Sequence, residues 1–320
     1  MNKKRILSSV SAAVLCSGLL AAGGAAAQSP TSEIRGGTTV KSSNFQAVGN
    51  IGILTKDGNP PQFYVSLSNC AATLIAPDTV ITSATCVIYM SREAEGQLLF
   101  TKSARTAQSI LDKAFKFNNN KNPISTQKDL KEAGIIVRNF TREDVSLHPL
   151  TTELIIEQKY HDNLSPTLAI IHLNNPITNI EPIKLAGKEY VRSLKKRDSL
   201  LAIGSGITDK ALIPGFFHKA KINPISDKQC RERWGASYVH SSLMCVAHKT
   251  RTLCDPDAGA PLLSKTESGE FVVVGIAVNA FSSKTAEKFD CSTDDTTLSA
   301  VPSRVAAWIK SVTDLDYSIE

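Results

Sequence analysis

The chain has 320 residues, of which 42% are apolar and 21% charged, an ordinary globular composition that is long enough for a sizeable core. Its formal net charge is +6, from 36 basic and 30 acidic residues. Much of this excess is local, since residues 101–132 carry seven basic residues against three acidic ones. This argues against a nucleic-acid-binding protein, because such proteins spread positive charge over a whole face.

The first 27 residues have the pattern of a secretory signal. A basic start at residues 3–5 precedes an apolar run over residues 6–20, and small alanines occupy residues 25–27. The mature chain is therefore expected to begin near Gln28, with a short segment 28–33 and 33 basic against 30 acidic residues. Secretion is the predicted localisation. No later stretch has 18 consecutive apolar residues, so no transmembrane helix is predicted after the signal.

Short β-branched or apolar runs separated by turn residues recur along the mature chain and predict β-strands. No alternation of strands with helices of the doubly wound kind is present, so the pattern favours an all-β sandwich or pair of barrels. In chain order the predicted strands are 48–54, 63–67, 72–75, 80–82, 135–137, 154–156, 168–173, 200–203, 220–225 and 271–278.

Two helical patterns stand against this β background. Residues 303–312 place apolar side chains at offsets of three and four, which predicts a short terminal helix, followed by an acidic tail at 314–320. Residues 106–117 form a weaker pattern that runs into a polar stretch. We therefore expect residues 101–132 to be an inserted basic surface loop with a partial helix.

Six cysteines remain after the signal, an even number that predicts three disulfides in an oxidising compartment. Fifteen pairings are open on spacing alone. A metal site would need closely spaced Cys/His ligands, which this sequence lacks, so neither a metal nor a cofactor is predicted. The cysteines are Cys70, Cys86, Cys230, Cys245, Cys254 and Cys291.

Several segments together resemble the trypsin-like serine proteases of the chymotrypsin fold. CAATLIAPDTVITSATCV from Cys70 resembles the family's CGGSLI-x-x-x-x-VLTAAHC, and CDPDAGAP from Cys254 resembles CxGDSGGP. Five further matches lie in the family's order: IRGG at 34–37, SPTLAIIHL at 165–173, GSG at 204–206, VVGIAV at 273–278 and WI at 308–309.

This resemblance implies two six-stranded antiparallel β-barrels over residues 34–313, the second beginning near Ile180, with a C-terminal α-helix against them. It also implies the disulfide pairing, which spacing left open: Cys70 with Cys86, Cys230 with Cys245, and Cys254 with Cys291. The family's catalytic groups lie in the cleft between the barrels.

The resemblance places Thr85 at the family's general base, Thr167 at its carboxylate and Ala258 at its nucleophile. A threonine hydroxyl cannot act as a base near pH 7, and an alanine methyl has no lone pair. Pro256 stands at a glycine whose N–H the family uses to bind the oxyanion, and proline has no N–H. No catalytic residue is therefore predicted for that route.

The implied substrate pocket is also altered. Thr252 stands at the pocket floor, where a trypsin has aspartate, and Val278, Asn279 and Ala280 stand in place of the family's Ser-Trp-Gly. We expect Ala280 to narrow the pocket mouth and no specificity for basic residues to remain.

The activation cut of the family is in question as well. Glu33 precedes Ile34, so a trypsin-like enzyme would not cut there, although the aspartate that pairs with the new amino terminus is kept as Asp257. A buried or loop-capping role is the simpler interpretation of this acid.

A second hypothesis is an active serine endopeptidase with non-standard catalytic residues. Ser264 and the pair Ser241–Ser242 belong to no nucleophile motif, although His240 and His248 could approach them in space. His172, within an apolar strand, is expected to be a core or groove residue.

Two further features of the sequence concern interactions and modification. The insert 101–132 suggests a polyanion partner, against the simpler interpretation of a solvated loop. Asn139 and Asn163 lie in glycosylation sequons, which matter only in a eukaryotic host.

The sequence therefore predicts a secreted, catalytically inactive protease homologue that binds an extracellular protein such as a host hydrolase, as decoy, inhibitor or cofactor. In its pattern of losses it is similar to the glucanase inhibitor proteins of oomycetes.

Overall fold

The fold is described from a computed structural model of residues 34, 37–40, 45–57, 62–88, 95–101, 135–148, 167–195, 198–204, 218–235, 238, 240–253, 257–279 and 296–315, without the side chains of 53–57, 62–69, 101 and 279. The first group of strands is β1 Thr38–Thr39, β2 Val48–Asp57, β3 Gln62–Ala76, β4 Thr79–Ser83, β5 Glu95–Thr101, β6 Ile135–Phe140, β7 Val145–Leu147 and β8 Leu168–His172. After them come α1 Lys188–Ser193, β9 Leu200–Gly204, β10 His218–Pro224, α2 Asp227–Trp234, β11 Leu243–Ala247, β12 Pro261–Lys265, β13 Phe271–Asn279, β14 Thr296–Ala300 and α3 Ala306–Val312.

The first antiparallel sheet has the strand order β6-β5-β2-β3-β4-β8-β7 and curves into a half-barrel over the described residues. Strand β8 lies between two cores and is buried on both faces. Ala169 and Ile171 point into the core of this half-barrel, whereas Leu168 and Ile170 point into a second core shared with the other sheet. The two-residue side-chain period of a strand therefore supplies two cores from one apolar run.

The second sheet closes on itself. Six strands pair in the cycle β10-β11-β14-β13-β12-β9, because β9 also pairs with β10, and β1 is added outside β10. Leu200, Ile222, Leu262 and Val274 belong to the core that this barrel encloses. A closed barrel leaves none of these six strands with an unpaired edge.

The two sheets are joined by the connection that leads from β8 to α1. The N–H of Ile183 donates to the Leu74 carbonyl of β3 at 3.0 Å, and the N–H of Val273 in β13 donates to the Lys184 carbonyl at 2.9 Å. A core between the sheets combines Ile81 and Ile170 of the first with Ile203, Val273 and Leu298 of the second. The barrels are therefore packed as one body.

The C-terminal segment forms a 3-10 helix at Pro302–Val305 and then α3. Ile309 is fully buried in the core between the sheets, and the Trp308 ring packs edge-on against His148, with ring centroids 5.1 Å apart. The terminal helix thus contacts both the shared core and the first sheet.

The predicted architecture of two β-barrels with a C-terminal helix is confirmed. Most predicted strands lie within observed ones, and the runs 63–67 and 72–75 form one long strand, β3. The prediction missed β1, β5, β7, β11, β12, β14, α1 and α2. The predicted strand 154–156, the partial helix 106–117, the signal and most of the insert lie outside the described residues.

Candidate functional site

Thr85 lies at the end of the first sheet, in the 3-10 helix Ala84–Cys86 that follows β4. Ser83 caps this helix: its Oγ accepts from the Thr85 N–H at 3.4 Å and shares a 2.8 Å hydrogen bond with the Thr85 hydroxyl. The half-buried Thr85 side chain is therefore engaged within its own turn. Its hydroxyl has no function as a base near neutral pH.

Thr167 is brought next to this turn by the backbone. The N–H of Ala84 donates to the Thr167 carbonyl at 3.3 Å, just before β8 pairs with β4. Thr167 is only 2% exposed, and among the described residues its hydroxyl has no hydrogen-bond partner. A buried hydroxyl without a partner is unusual and costs free energy of folding.

Ala258 reaches the same region from the second barrel. Its carbonyl accepts from the N–H of Ala71 in β3 at 2.8 Å, and its side chain packs against the core of the first sheet. The Ala71 carbonyl in turn accepts from the Thr82 hydroxyl at 2.7 Å. The segments carrying Thr85, Thr167 and Ala258 therefore adjoin at the junction of the two barrels.

Gly259 permits this close approach. Its φ is +81°, in the left-handed region, and a Cβ there would collide with the Ala71 carbonyl oxygen and the Thr82 hydroxyl. The turn from 257 to 260 is thus shaped to bring the 258 position against the first sheet.

Asp257 is fully buried beside Gly204 at the end of β9, where a Cβ on the glycine would collide with the Asp257 carboxylate. Its carbonyl accepts from the Ala260 N–H at 3.0 Å. Ile34, the residue at the implied activation site, is also fully buried and packs in the core of the second barrel.

The positions assigned to the substrate pocket are closed to solvent where they are described. Thr252 is 2% exposed and its hydroxyl donates to the Leu253 carbonyl at 3.1 Å. Val278 is 2% exposed and belongs to the core between the sheets. Pro256, Ala280 and the Asn279 side chain lie outside the described part of the chain.

Two disulfides are formed as the resemblance implied. Cys70 of β3 pairs with Cys86, one residue after Thr85, and Cys230 of α2 pairs with Cys245 of β11. Cys254 and Cys291 lie outside the described residues, so their pairing stays a prediction. The first disulfide holds the Thr85 turn against the strand that contacts Ala258.

Of the candidates for a relocated site, His240 and Ser241 line one cavity, whereas Ser264 and His248 contact other residues. Ser264 shares a 2.9 Å hydrogen bond with the Tyr190 hydroxyl, and His248 accepts from the Thr250 N–H at 3.2 Å. A serine–histidine contact does form elsewhere: Ser146 Oγ of β7 lies 3.3 Å from His172 Nε2 of β8. Sequence analysis did not identify Ser146. It lies in no motif, and only its position beside the strand that carries His172 could have indicated it.

His240 forms a different cluster with Asp227 and Tyr238. The Tyr238 hydroxyl donates to Asp227 Oδ1 at 2.5 Å, and His240 Nδ1 lies 3.1 Å from Asp227 Oδ2. Partial burial alone would raise the pKa of Asp227, but the Tyr238 hydrogen bond and the neighbouring His240 bring it below its usual value. Burial, and then the bond to Asp227, raise the pKa of Tyr238 to about 12. The cluster is therefore a carboxylate that accepts from the Tyr238 hydroxyl and lies beside the His240 ring.

The described residues contain no group of three His, Cys, Asp or Glu side chains that could hold a metal ion. Within the same residues, no helix has the length and apolar character needed to cross a membrane.

Comparison with known proteins gives a consistent result. The family model described as Trypsin matches residues 132–300, more than half of the chain. Human chymotrypsin-like elastase family member 3B is 24% identical over 224 residues, which cover 68% of this chain and 71% of that protein. Trypsin-1 of Astacus astacus is 22% identical over 162 residues, which cover 48% of this chain and 65% of that protein.

Proposed function

This chain belongs to the trypsin family, and we propose that it is a secreted member that has lost catalysis and acts by binding another extracellular protein. Ala258 carries the proposal. The turn with Gly259 and the hydrogen bond to Ala71 hold this residue at the junction of the barrels, where the family places its nucleophile, and a methyl group cannot attack a carbonyl.

The two partner positions support the same conclusion. Thr85 bonds to Ser83 in its own turn, and Thr167 is buried without a charge, so neither can take or orient a proton as an imidazole and a carboxylate do. Pro256 adds the loss of one oxyanion donor, which alone costs about 10²–10³ in turnover. Together these substitutions remove every step that the family's mechanism requires.

A binding role follows from what is kept. The two-barrel body retains its cores, the two described disulfides and its terminal helix, and such a body presents loops as a binding surface independently of catalysis. A secretory leader at 1–27 and the two disulfides support an extracellular location, in which the partner is a secreted protein such as a host hydrolase.

A second candidate function rests on the contact between Ser146 and His172. A histidine that accepts the proton of a serine activates that serine as a nucleophile. This pair is therefore the best candidate for proteolysis with relocated catalytic groups. The described contact of the His172 ring is with the Ser146 hydroxyl and not with a carboxylate, so the third element of such a site is not found among the described residues. We therefore place this function second.

Labelling with a fluorophosphonate probe separates the two functions. The purified mature protein, residues 28–320, is expected to stay unlabelled under conditions that label an active trypsin, and to leave a mixed peptide library uncut. Labelling would contradict the proposal. The Ser146→Ala and His172→Ala variants then show whether this pair is responsible, because label lost in both would establish the second function.

Capture from extracellular fluid tests the binding role. Immobilised mature protein is compared with a catalytically inactivated trypsin, so that proteins which bind any two-barrel scaffold are subtracted. A protein enriched on this chain alone supports the proposal, and equal recovery on both contradicts it. A variant without residues 101–132 tests the insert: loss of the partner on deletion, and release by soluble heparin, would assign the binding to its positive charge.

A further inference from the structure

A cavity of about 500 Å³ lies on the second barrel, between α1, the turn from β10 to α2, the segment 240–244 and the 3-10 helix at 302–305. This volume is within the range of small-molecule sites. None of the residues assigned to the inter-barrel site lines it, so it is a separate feature of the molecule.

One wall of the cavity is apolar. Val191 and Leu194 of the α1 region and Ile225 before α2 are half-buried, and Met244 of β11 is 9% exposed. These side chains offer a ligand an apolar surface that is already in place, and methionine adapts its shape to what binds it.

The cavity is also lined by three basic residues, which give it positive charge. Lys188 and Arg192 are exposed at the cavity, and the ion pair that Arg192 makes among the described residues is with its helix neighbour Glu189, at 2.5 Å between side chains that are 60% and 73% exposed. Such an exposed pair is weak and leaves the guanidinium accessible. Arg304 is held in the wall by donating to the carbonyls of His240, at 2.9 Å, and Leu243.

The acidic residue at the cavity already has side-chain partners. Asp227 accepts from the Tyr238 hydroxyl and lies 3.1 Å from His240 Nδ1, so its carboxylate is engaged within its own cluster. In sequence, the stretch 180–253 that supplies most of the lining is basic, with 14 Lys and Arg against 6 Asp and Glu. At the cavity itself, three basic residues stand against the one acidic residue Asp227.

Ser303 supplies an independent sign of a ligand. It is 6% exposed, it lines the cavity, and among the described residues its hydroxyl has no hydrogen-bond partner. Buried hydroxyls are normally bonded, because burying one without a partner is costly. A ligand oxygen in the cavity would satisfy this hydroxyl.

We propose that this cavity binds an organic anion, a carboxylate carried on an apolar body. The carboxylate accepts from the Ser303 hydroxyl and is attracted by Lys188 and Arg192, while the apolar body packs against Leu194 and Met244. An inorganic anion would leave the apolar wall unused, and a neutral apolar molecule would leave the hydroxyl and the cations unmatched. The proposal does not rest on the loss of catalysis.

Titration calorimetry with 4-biphenylcarboxylate tests this chemistry on the mature protein. We expect one binding site per chain, with at least tenfold weaker binding of the neutral match 4-biphenylmethanol and of sulfate. If the alcohol bound equally well, the site would recognise only the apolar body. If sulfate bound equally well, it would recognise only the negative charge. Either result, or no binding of the carboxylate, overturns the proposal.

Variants locate the site. Ser303→Ala should weaken carboxylate binding about threefold to tenfold, as expected for one lost hydrogen bond, without lowering Tm, because the hydroxyl has no partner in the fold. The double variant Lys188→Gln/Arg192→Gln should weaken binding about tenfold. The matched double variant Lys249→Gln/Lys265→Gln removes the same charge at exposed positions outside the cavity and should change binding less than twofold. An equal loss in both double variants, or unchanged affinity in Ser303→Ala, would contradict the assignment.

Discussion

At the scale of single residues, the junction of the barrels depends on the backbone conformation of one glycine. Gly259 has φ +81°, and the Ala71 carbonyl and the Thr82 hydroxyl fill the space where its Cβ would lie. This glycine places Ala258 against the first sheet. The position of Ala258 is therefore set by contacts of the Gly259 turn with the first sheet.

Gly259→Ala should accordingly be one of the most destabilising single changes in the chain. We expect a loss of at least about 2 kcal/mol in the free energy of unfolding, from backbone strain together with the collision. Urea unfolding followed by circular dichroism measures it. Gly235→Ala is the control, because Gly235 also has a positive φ of +55° but no atom within 4 Å of its would-be Cβ. Equal losses in the two variants would show that the contact with the first sheet contributes nothing.

At the scale of elements, the sequence prediction failed most often for strands rich in Ser and Thr and for short helices. Strand β14 has the sequence TTLSA, yet Thr296, Thr297 and Ser299 are all buried, because β14 lies between β11 and β13 in the closed barrel. Helix α2 begins with a capping box between Ser226 and Gln229, a local signal that was present in the sequence and was missed. Pairing with β11 and β13 therefore explains the burial of β14, whereas the local capping box was sufficient to predict the start of α2.

The docking of α3 should depend on pH through His148. The ring of this residue packs against Trp308, and burial lowers the pKa of His148 below its usual value. The folded chain therefore favours the neutral ring, so its contribution to stability is complete above about pH 6.5, the pKa of an unfolded histidine, and is lost as the pH falls below that value.

Melting curves at pH 7 and pH 5 test this dependence. We expect Tm to fall between these values, and to fall less in His148→Phe, which keeps an aromatic ring against Trp308 but cannot be protonated. His248→Gln, at the end of β11, is the control and should retain the full dependence. A dependence on pH that is the same in His148→Phe as in the unchanged protein would contradict a role for this contact.

At the scale of the whole molecule, the two barrels are held by a shared core, by the 183–186 connection and by the contact at Ala258. The disulfides Cys70–Cys86 and Cys230–Cys245 each close a short loop within one barrel. Each is expected to contribute about 3 kcal/mol by restricting the unfolded chain. The barrels are thus stabilised separately and joined by packing and backbone hydrogen bonds.

The third disulfide can be tested directly. Peptide mapping of the unreduced mature protein should recover Cys254 linked to Cys291 and no free thiol after denaturation. The Cys70–Cys86 and Cys230–Cys245 peptides in the same digest serve as internal controls. A free thiol at Cys254 or Cys291 would show that the loop carrying Pro256 and Asp257 is tied differently from the family's pattern.

The sequence by itself determined the fold class, the order of most strands and the terminal helix, because alternating and continuous apolar runs report local burial. Through the family resemblance it also indicated which residues meet at the barrel junction and the two disulfides that are observed. Only the tertiary structure decided what those residues touch: that Thr85 bonds to Ser83, that the Thr167 hydroxyl is buried, and that a cavity forms between α1, Met244 and Ser303. Such contacts join segments far apart in the chain, and they depend on how the closed barrel and its helices pack, which no local pattern encodes.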